Sequence, residues 1–297
     1  MDVAWLESLL SLVEHGSFTR AAEAQHLSQP AFSRRIRSLE QWVGAELVDR
    51  STFPVTLTPT GSKLRAHAAE IVAGLAELRD DARGRRLMPR DAVRISIGHT
   101  LAMSFFSEWW TRVDASGHGI SCQLLPTNTL EAYDALLHGG SDLLLAYADP
   151  AHPLGIDQSG LEWVVVATDR VGPYSGTRDG QPIFALPGTS QQPVPFITHG
   201  SGAFLGRVTN HILESLGLHL QPVVQSDFTA ALVGLVRAGL GVSWLPGLAA
   251  DPMVGQGGIV RIGDPQWSAP LEIRLYRRRG ERTTDAAESV WVQASRR

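Results

Sequence analysis

At 297 residues with 43% hydrophobic and 19% charged side chains, the chain is long enough to bury more than one core and is neither disordered nor fibrous in composition. A formal charge of −4 excludes a uniformly basic polyanion binder, so affinity for nucleic acid would have to come from a local patch. Cys122 is the only cysteine, which excludes an intrachain disulfide. Together with a start lacking a basic n-region and no apolar run of roughly 18 residues, it predicts a soluble protein at a cytoplasmic address, with no membrane partner.

Leu6, Leu9, Leu10 and Val13 form the apolar stripe of a first helix, which Gly16 should stop. Ser17 offers an N-cap for a short helix to about His26, and Ser28 offers another, so two helices meet at a tight turn. In the second of these, Phe32, Ile36, Leu39 and Val43 step onto one face, while Gln29, Ser33, Arg34 and Arg37 share the opposite one, and Gly44 closes the helix. Two short apolar runs, 47–50 and 55–57, read as a small hairpin or wing. Thr58 and Pro59 read as cap and first residue of a long helix carrying Leu64, Ala68, Ile71, Leu75 and Leu78 at alternating spacings of four and three. That seam suits pairing with a second copy of the helix; packing on the chain's own body is the alternative. The run 83–89 reads as a hinge.

From Val93 onward apolar strands alternate with helical segments, which predicts an α/β domain. A first set comprises strands at 93–97, 120–125 and 143–146, with helices from about Leu101 and Leu130. A second set comprises strands at 162–168, 195–198, 223–225 and 242–245, with helices at 205–216 and from about Thr229. A strand at 271–276 and a helix from Asp285 return to the first set. The Pro- and Gly-rich stretch 173–195 reads as a loop.

Local charge is concentrated near the start, where residues 17–65 carry seven basic groups against four acidic ones. Gln pairs with adenine edges and Arg with guanine edges or phosphates, so the Gln29, Ser33, Arg34 and Arg37 face, between a short helix and a wing, has the chemistry of a major-groove reader. Arg50 suits a phosphate or minor-groove contact, or pairs with Glu46 or Asp49. Four strand-to-helix turns supply free backbone N–H groups, and they nominate His99, Thr100, Thr129, His199, Ser201, Phe228 and Thr229 as contacts for a small effector. Each Ser or Thr there is equally suited to be an ordinary N-cap. Asp227 opposes an anion, and His99 and His199 either add charge or satisfy backbone carbonyls. No nucleophile elbow, metal-spaced His/Glu pair or phosphate loop is present, so neither an enzyme, a metal site nor a cofactor is expected.

The runs Ser17-Phe18-Thr19-Arg20-Ala21-Ala22 and Leu27-Ser28-Gln29-Pro30-Ala31-Phe32-Ser33-Arg34-Arg35-Ile36, with Leu39-Glu40, Leu47, Arg50 and Leu57-Thr58-Pro59-Thr60-Gly61, resemble the signature of LysR-type transcriptional regulators. Val48 stands where many members have Phe. The resemblance implies a winged helix-turn-helix over 1–58, with Ser28, Gln29, Pro30, Ser33 and Arg34 at the groove of promoter DNA and Arg50 at its backbone. It implies a dimerising helix and hinge over 59–89. For 90–297 it implies a two-lobed α/β domain like a periplasmic binding protein, lobe 1 being 90–161 and 268–297 and lobe 2 being 162–267, with an effector between the lobes. Homodimers, and commonly tetramers, go with it. At finer scale the runs 28–37 and Gly241-Val242-Ser243-Trp244-Leu245-Pro246 resemble hypochlorite-responsive members, which implies oxidant sensing through sulfur. The C-terminal domain offers only Met103, Met253 and Cys122 for that. Met103 falls near the presumed cleft, with core filler as its alternative, and Cys122 in an apolar strand, with an inert buried thiol as its alternative.

Overall fold

A computed structural model of the chain describes residues 2–51, 54–82, 88–89, 91–114, 119–153, 158–214, 216–280 and 283–296. It divides into two compact units, Met1–Pro89 and Arg90–Arg297. The predicted hinge lies outside the described residues, Met88 and Pro89 excepted.

The first unit comprises α1 (Val3–His15), α2 (Phe18–Ala24), α3 (Gln29–Val43), β1 (Val48–Asp49), β2 (Thr56–Leu57) and α4 (Pro59–Ala82). Asp2 caps α1 by accepting the Ala4 N–H at 3.0 Å, and Gly16 ends it at φ 60°, with Leu12 rather than Val13 completing the buried stripe. Phe32, Ile36 and Leu39 of α3 are fully buried against Leu6, Leu9, Ala21 and Leu47, each worth roughly 1.5–3 kcal/mol of transfer free energy. Ser17 and Ser28 do stand at the N-cap positions, but neither side chain makes the capping bond. The turn between α2 and α3 is instead closed by His26 at φ 54° and by the Leu27 N–H donating to the Ala22 carbonyl at 2.9 Å. Thr58 does cap α4, its Oγ1 accepting the Gly61 N–H at 3.0 Å and donating to the Glu46 carbonyl at 2.8 Å. The wing is shorter than predicted, only Val48↔Leu57 and Asp49↔Thr56 being paired. Along α4 the predicted seam splits. Ala68 is fully buried in the unit's own core with Leu64 packed beside it, whereas Ile71, Leu75 and Leu78 are exposed.

The second unit runs β3 (Val93–Gly98), α5 (His99–Ser104), α6 (Phe106–Val113), β4 (Cys122–Thr127), α7 (Thr129–Leu137), β5 (Leu143–Ala148), β6 (Leu161–Arg178), β7 (Gln181–Pro182), β8 (Val194–Thr198), α8 (Phe204–Glu214), β9 (Leu220–Gln225), α9 (Thr229–Arg237), β10 (Ser243–Pro246), α10 (Gly247–Val254), β11 (Ile259–Arg261), β12 (Ala269–Arg278) and α11 (Asp285–Ser295). One sheet in the order β10-β6-β12-β5-β3-β4 threads both lobes. The parallel trio β4, β3, β5 belongs to the first lobe, and the all-buried Leu-rich sequence of β5 suits a strand covered on both faces. In the second lobe β8 and β9 pair in parallel, and β8 bridges to Val242 ahead of β10.

The 18-residue β6 corrects the sequence reading, which ended the strand at 168 and placed a loop from 173. Its first part pairs with β12, and then 171–176 switch to β10 and β11, so this strand belongs to both lobes rather than opening the second. Gly176, which falls in the stretch read as a loop, and Gly172 just before it permit close packing. A Cβ at Gly172 would lie 2.6 Å from Ser268 Oγ, and one at Gly176 would lie 2.4 Å from the Val236 carbonyl oxygen. The reading also passed over α10 and β11, the first because Pro252 sits inside it and the second because it has only three residues.

Candidate functional site

The polar face of α3 stands opposite its buried stripe. Ser28, Gln29, Pro30, Arg34 and Arg37 are exposed, and the Gln29 amide donates to Ser33 Oγ at 3.1 Å. Arg35 turns the other way, reaching Gln25 Oε1 at 3.4 Å, and Gln25 in turn accepts from Ser8. Arg34 and Arg37 therefore carry the charge of the outer face. Arg50 is held by neither Glu46 nor Asp49 but by Glu40, at 2.8 Å, and its guanidinium lies 5.6 Å from the Phe18 ring centroid. Glu40 also accepts the Leu47 N–H at 3.1 Å, so one carboxylate positions both the wing strand and its arginine.

In the second unit, the four nominated turns follow β3, β4, β8 and β9. They open on one cavity of about 340 Å³ at the carboxyl ends of the strands, where ligands of open α/β sheets collect. His99, Thr100, Thr129, His199 and Thr229 line it. Ser201 does not, and Phe228 faces an adjoining cavity with its ring edge-on to His99 at 5.8 Å. Across the lobes, Thr100 Oγ1 donates to Thr229 Oγ1 at 2.8 Å, and Thr229 Oγ1 lies 3.0 Å from His199 Nε2. His199 is 4% exposed, and burial pushes its pKa down to about 4 against an upward pull from Asp227. It is therefore neutral at pH 7 and satisfies a hydroxyl, not the backbone carbonyl anticipated. Asp227 Oδ1 accepts the Gly200 N–H at 2.8 Å, an approach that a Cβ at Gly200, 2.3 Å from that oxygen, would forbid.

Tyr147, Phe204, Arg207 and Glu131 also line the cleft and were not singled out by sequence. Tyr147 and Phe204 stack at 4° with centroids 6.5 Å apart. The Tyr147 hydroxyl donates to Asp169 Oδ2 at 2.7 Å, and burial holds the Asp169 carboxyl above its usual range although it also accepts from the N–H groups of Arg170 and Leu248. Arg207, Glu131 and Asp227 give the cleft charge of both signs. Of the sulfur candidates, Met103 is 65% exposed, so it is not core filler, and it faces the adjoining cavity instead of the cleft. Cys122 begins β4 with its thiol pushed up to about 12 by burial, which keeps it protonated and unreactive at neutral pH. Among the described residues no three His, Cys, Asp or Glu side chains are placed to hold a metal, and no helix is long and apolar enough to cross a membrane.

A helix-turn-helix with a wing, followed by a two-lobed domain with a polar cleft at its strand ends, defines a DNA-binding regulator with an effector domain. Residues 3–62 match the bacterial regulatory helix-turn-helix protein, lysR family, and residues 88–296 match the LysR substrate binding domain, so the chain belongs to the LysR family of transcriptional regulators. The HTH-type transcriptional regulator YjiE of Escherichia coli (strain K12) is 25% identical over 300 residues, covering 98% of this chain and 93% of its own length. DarR of Vibrio fischeri, solved in complex with DNA, is 31% identical with a TM-score of 0.63, covering 100% of this chain and 99% of that one. Full-length HypT of Salmonella typhimurium, a hypochlorite-specific regulator, shares the fold at 24% identity and a TM-score of 0.62, covering 98% of this chain and 96% of that one.

Proposed function

We propose that the chain binds double-stranded promoter DNA as a homodimer or tetramer, reading the major groove with Gln29, Ser33, Arg34 and Arg37, and that a small polar effector in the cleft changes the lobe arrangement and with it transcription. The observation that carries the effector half is the convergence of four strand-to-helix turns on one cavity tied across the lobes by the Thr100–Thr229 hydrogen bond. The exposed Arg34 and Arg37 face, and the DNA complex of DarR, support the first half. The bare apolar positions Ile71, Leu75 and Leu78 support a helix pair through α4.

Arg34→Ala should weaken operator binding by about 1–3 kcal/mol, roughly 5- to 150-fold, read by footprinting. Thr100→Ala should leave operator affinity unchanged while shrinking the rise in melting temperature that a binding metabolite produces in the parent chain. A Thr100→Ala chain that loses the operator would sink the division of labour.

The oxidant-responsive alternative rests on the exposure of Met103, which leaves its sulfur open to hypochlorite. A parent chain whose operator footprint ignores hypochlorite would remove it, and a Met103→Leu chain that still responds would move the sensing to Met253 or Cys122.

A further inference from the structure

Beside the cleft, sharing His99 and the hydrogen-bonded Thr100 and Thr229 with it, lies an adjoining cavity of about 310 Å³. Met103 and Ser104 of α5 in the first lobe form one wall, and Phe228, Val233 and the α10 face form the others. On α10, Leu248 with Pro252 and Ala249 with Met253 are both spaced by four residues, so one side of that helix is apolar. No carboxylate, ammonium or guanidinium stands among the described residues that line it. Its hydroxyls are engaged elsewhere, Ser104 donating to the Thr100 carbonyl at 2.8 Å and Thr100 to Thr229. Two polar groups remain, and the first is the His99 imidazole, which lines both this cavity and the cleft. The second is the Leu248 carbonyl, which lacks its helical donor because Pro252, four residues on, has no N–H to give. Met103 and Phe228 stand at the mouth 65% and 44% exposed, large apolar side chains that the fold leaves in water.

We propose that this cavity is a second binding site, distinct from the effector cleft, for a compact uncharged aromatic molecule bearing a single N–H or O–H. An aromatic ring fits against Phe228 and the Met103 and Met253 side chains, which adapt to shape, the Met253 sulfur lying 4.0 Å from Arg237 Nη1. A charged ligand would lose its hydration without gaining a carboxylate, ammonium or guanidinium partner among the described lining residues. Its donor fits a His99 ring nitrogen or the Leu248 carbonyl. The site touches both lobes and stands whether or not the cleft takes an effector.

The test is 5-fluoroindole titrated against the full-length chain, read by fluorine NMR. Saturable binding is expected, displaced by indole and at least about tenfold weaker for the anion indole-3-acetate. Met103→Glu, tolerated because the side chain is largely in solvent, should weaken the probe about tenfold or more, as should Ala249→Leu, which fills the wall. Arg207→Ala and Thr129→Ala, which touch only the cleft, should leave probe affinity unchanged. Absence of saturation, full affinity in Met103→Glu, or loss of the probe in Arg207→Ala would each overturn the proposal, the last by placing the ring in the cleft. Met103→Glu decides alone if Ala249→Leu does not fold.

Discussion

Gly61→Ala should destabilise the first unit by about 2–4 kcal/mol and abolish operator binding at assay temperature, while the second unit melts as before. A Cβ at position 61 would lie 2.0 Å from the Leu47 carbonyl oxygen, 2.9 Å from its carbon and 3.2 Å from its Cα. The obstacle is backbone, and it is held from both sides. The Leu47 N–H donates to Glu40 at 3.1 Å, and its carbonyl accepts the Thr58 N–H at 3.0 Å. The first turn of α4 must therefore rise, which breaks the Thr58 cap and adds its loss, about 1 kcal/mol, to the strain of overpacking. Gly74→Ala is the internal control, because a Cβ there meets nothing within 4 Å among the described residues and should stabilise the same helix by about 0.5–1 kcal/mol. Urea denaturation of the full chain, monitored by hydrogen exchange in each unit, separates the two outcomes. Equal behaviour of both variants would show that the Leu47 contact does not govern the geometry of the wing.

That clash gives Leu57-Thr58-Pro59-Thr60-Gly61 a physical meaning: the threonine caps, the proline sits where no donor is needed, and the glycine lets the helix start against a carbonyl. Such features are local, and for that reason they are legible in sequence. The α3 face is legible on the same terms, since a period of 3.6 separates Phe32, Ile36 and Leu39 from Gln29, Arg34 and Arg37 without reference to the rest of the chain. What escaped were features set by distant partners. Gly176 falls in a stretch that reads as a loop until the end of α9 is known to press on it, and nothing local marks Gly172 as packed against Ser268. Arg50 has acidic neighbours at Glu46 and Asp49, yet its partner is ten residues away on α3. In the cleft, the turns are visible as Ser, Thr, Gly and Asn after apolar runs. Tyr147, at the end of a buried strand, and Arg207, one turn into α8, carry no mark in sequence that separates them from core or surface residues. Phe228 and Thr229 show the limit of the turn argument: adjacent in sequence, both line the adjoining cavity, yet only Thr229 also lines the cleft.

His199 makes the second unit's stability depend on acid. Its folded pKa is pushed down to about 4 by burial, whereas its ordinary value is 6.5, so between those limits the unfolded chain takes up a proton that the folded one refuses. The stabilisation is complete above pH 6.5 and is lost as pH falls through the folded value near 4, amounting to about 3 kcal/mol across the window. Asp169 acts in the opposite sense, since a carboxyl held above its usual range by burial favours the folded state on protonation. The difference between parent and His199→Gln cancels that contribution. In the parent, the unfolding free energy of the second unit should drop by about 3 kcal/mol more between pH 7.5 and pH 4 than in the glutamine variant. The coupling has a structural path. Protonated His199 can no longer accept at Nε2, so acid forces a charge into a site 4% exposed and disturbs Thr229, whose hydroxyl receives the Thr100 bond between the lobes. Parallel pH profiles in the two chains would show that His199 does not remain neutral against Thr229, and the lobe contact would then need another anchor.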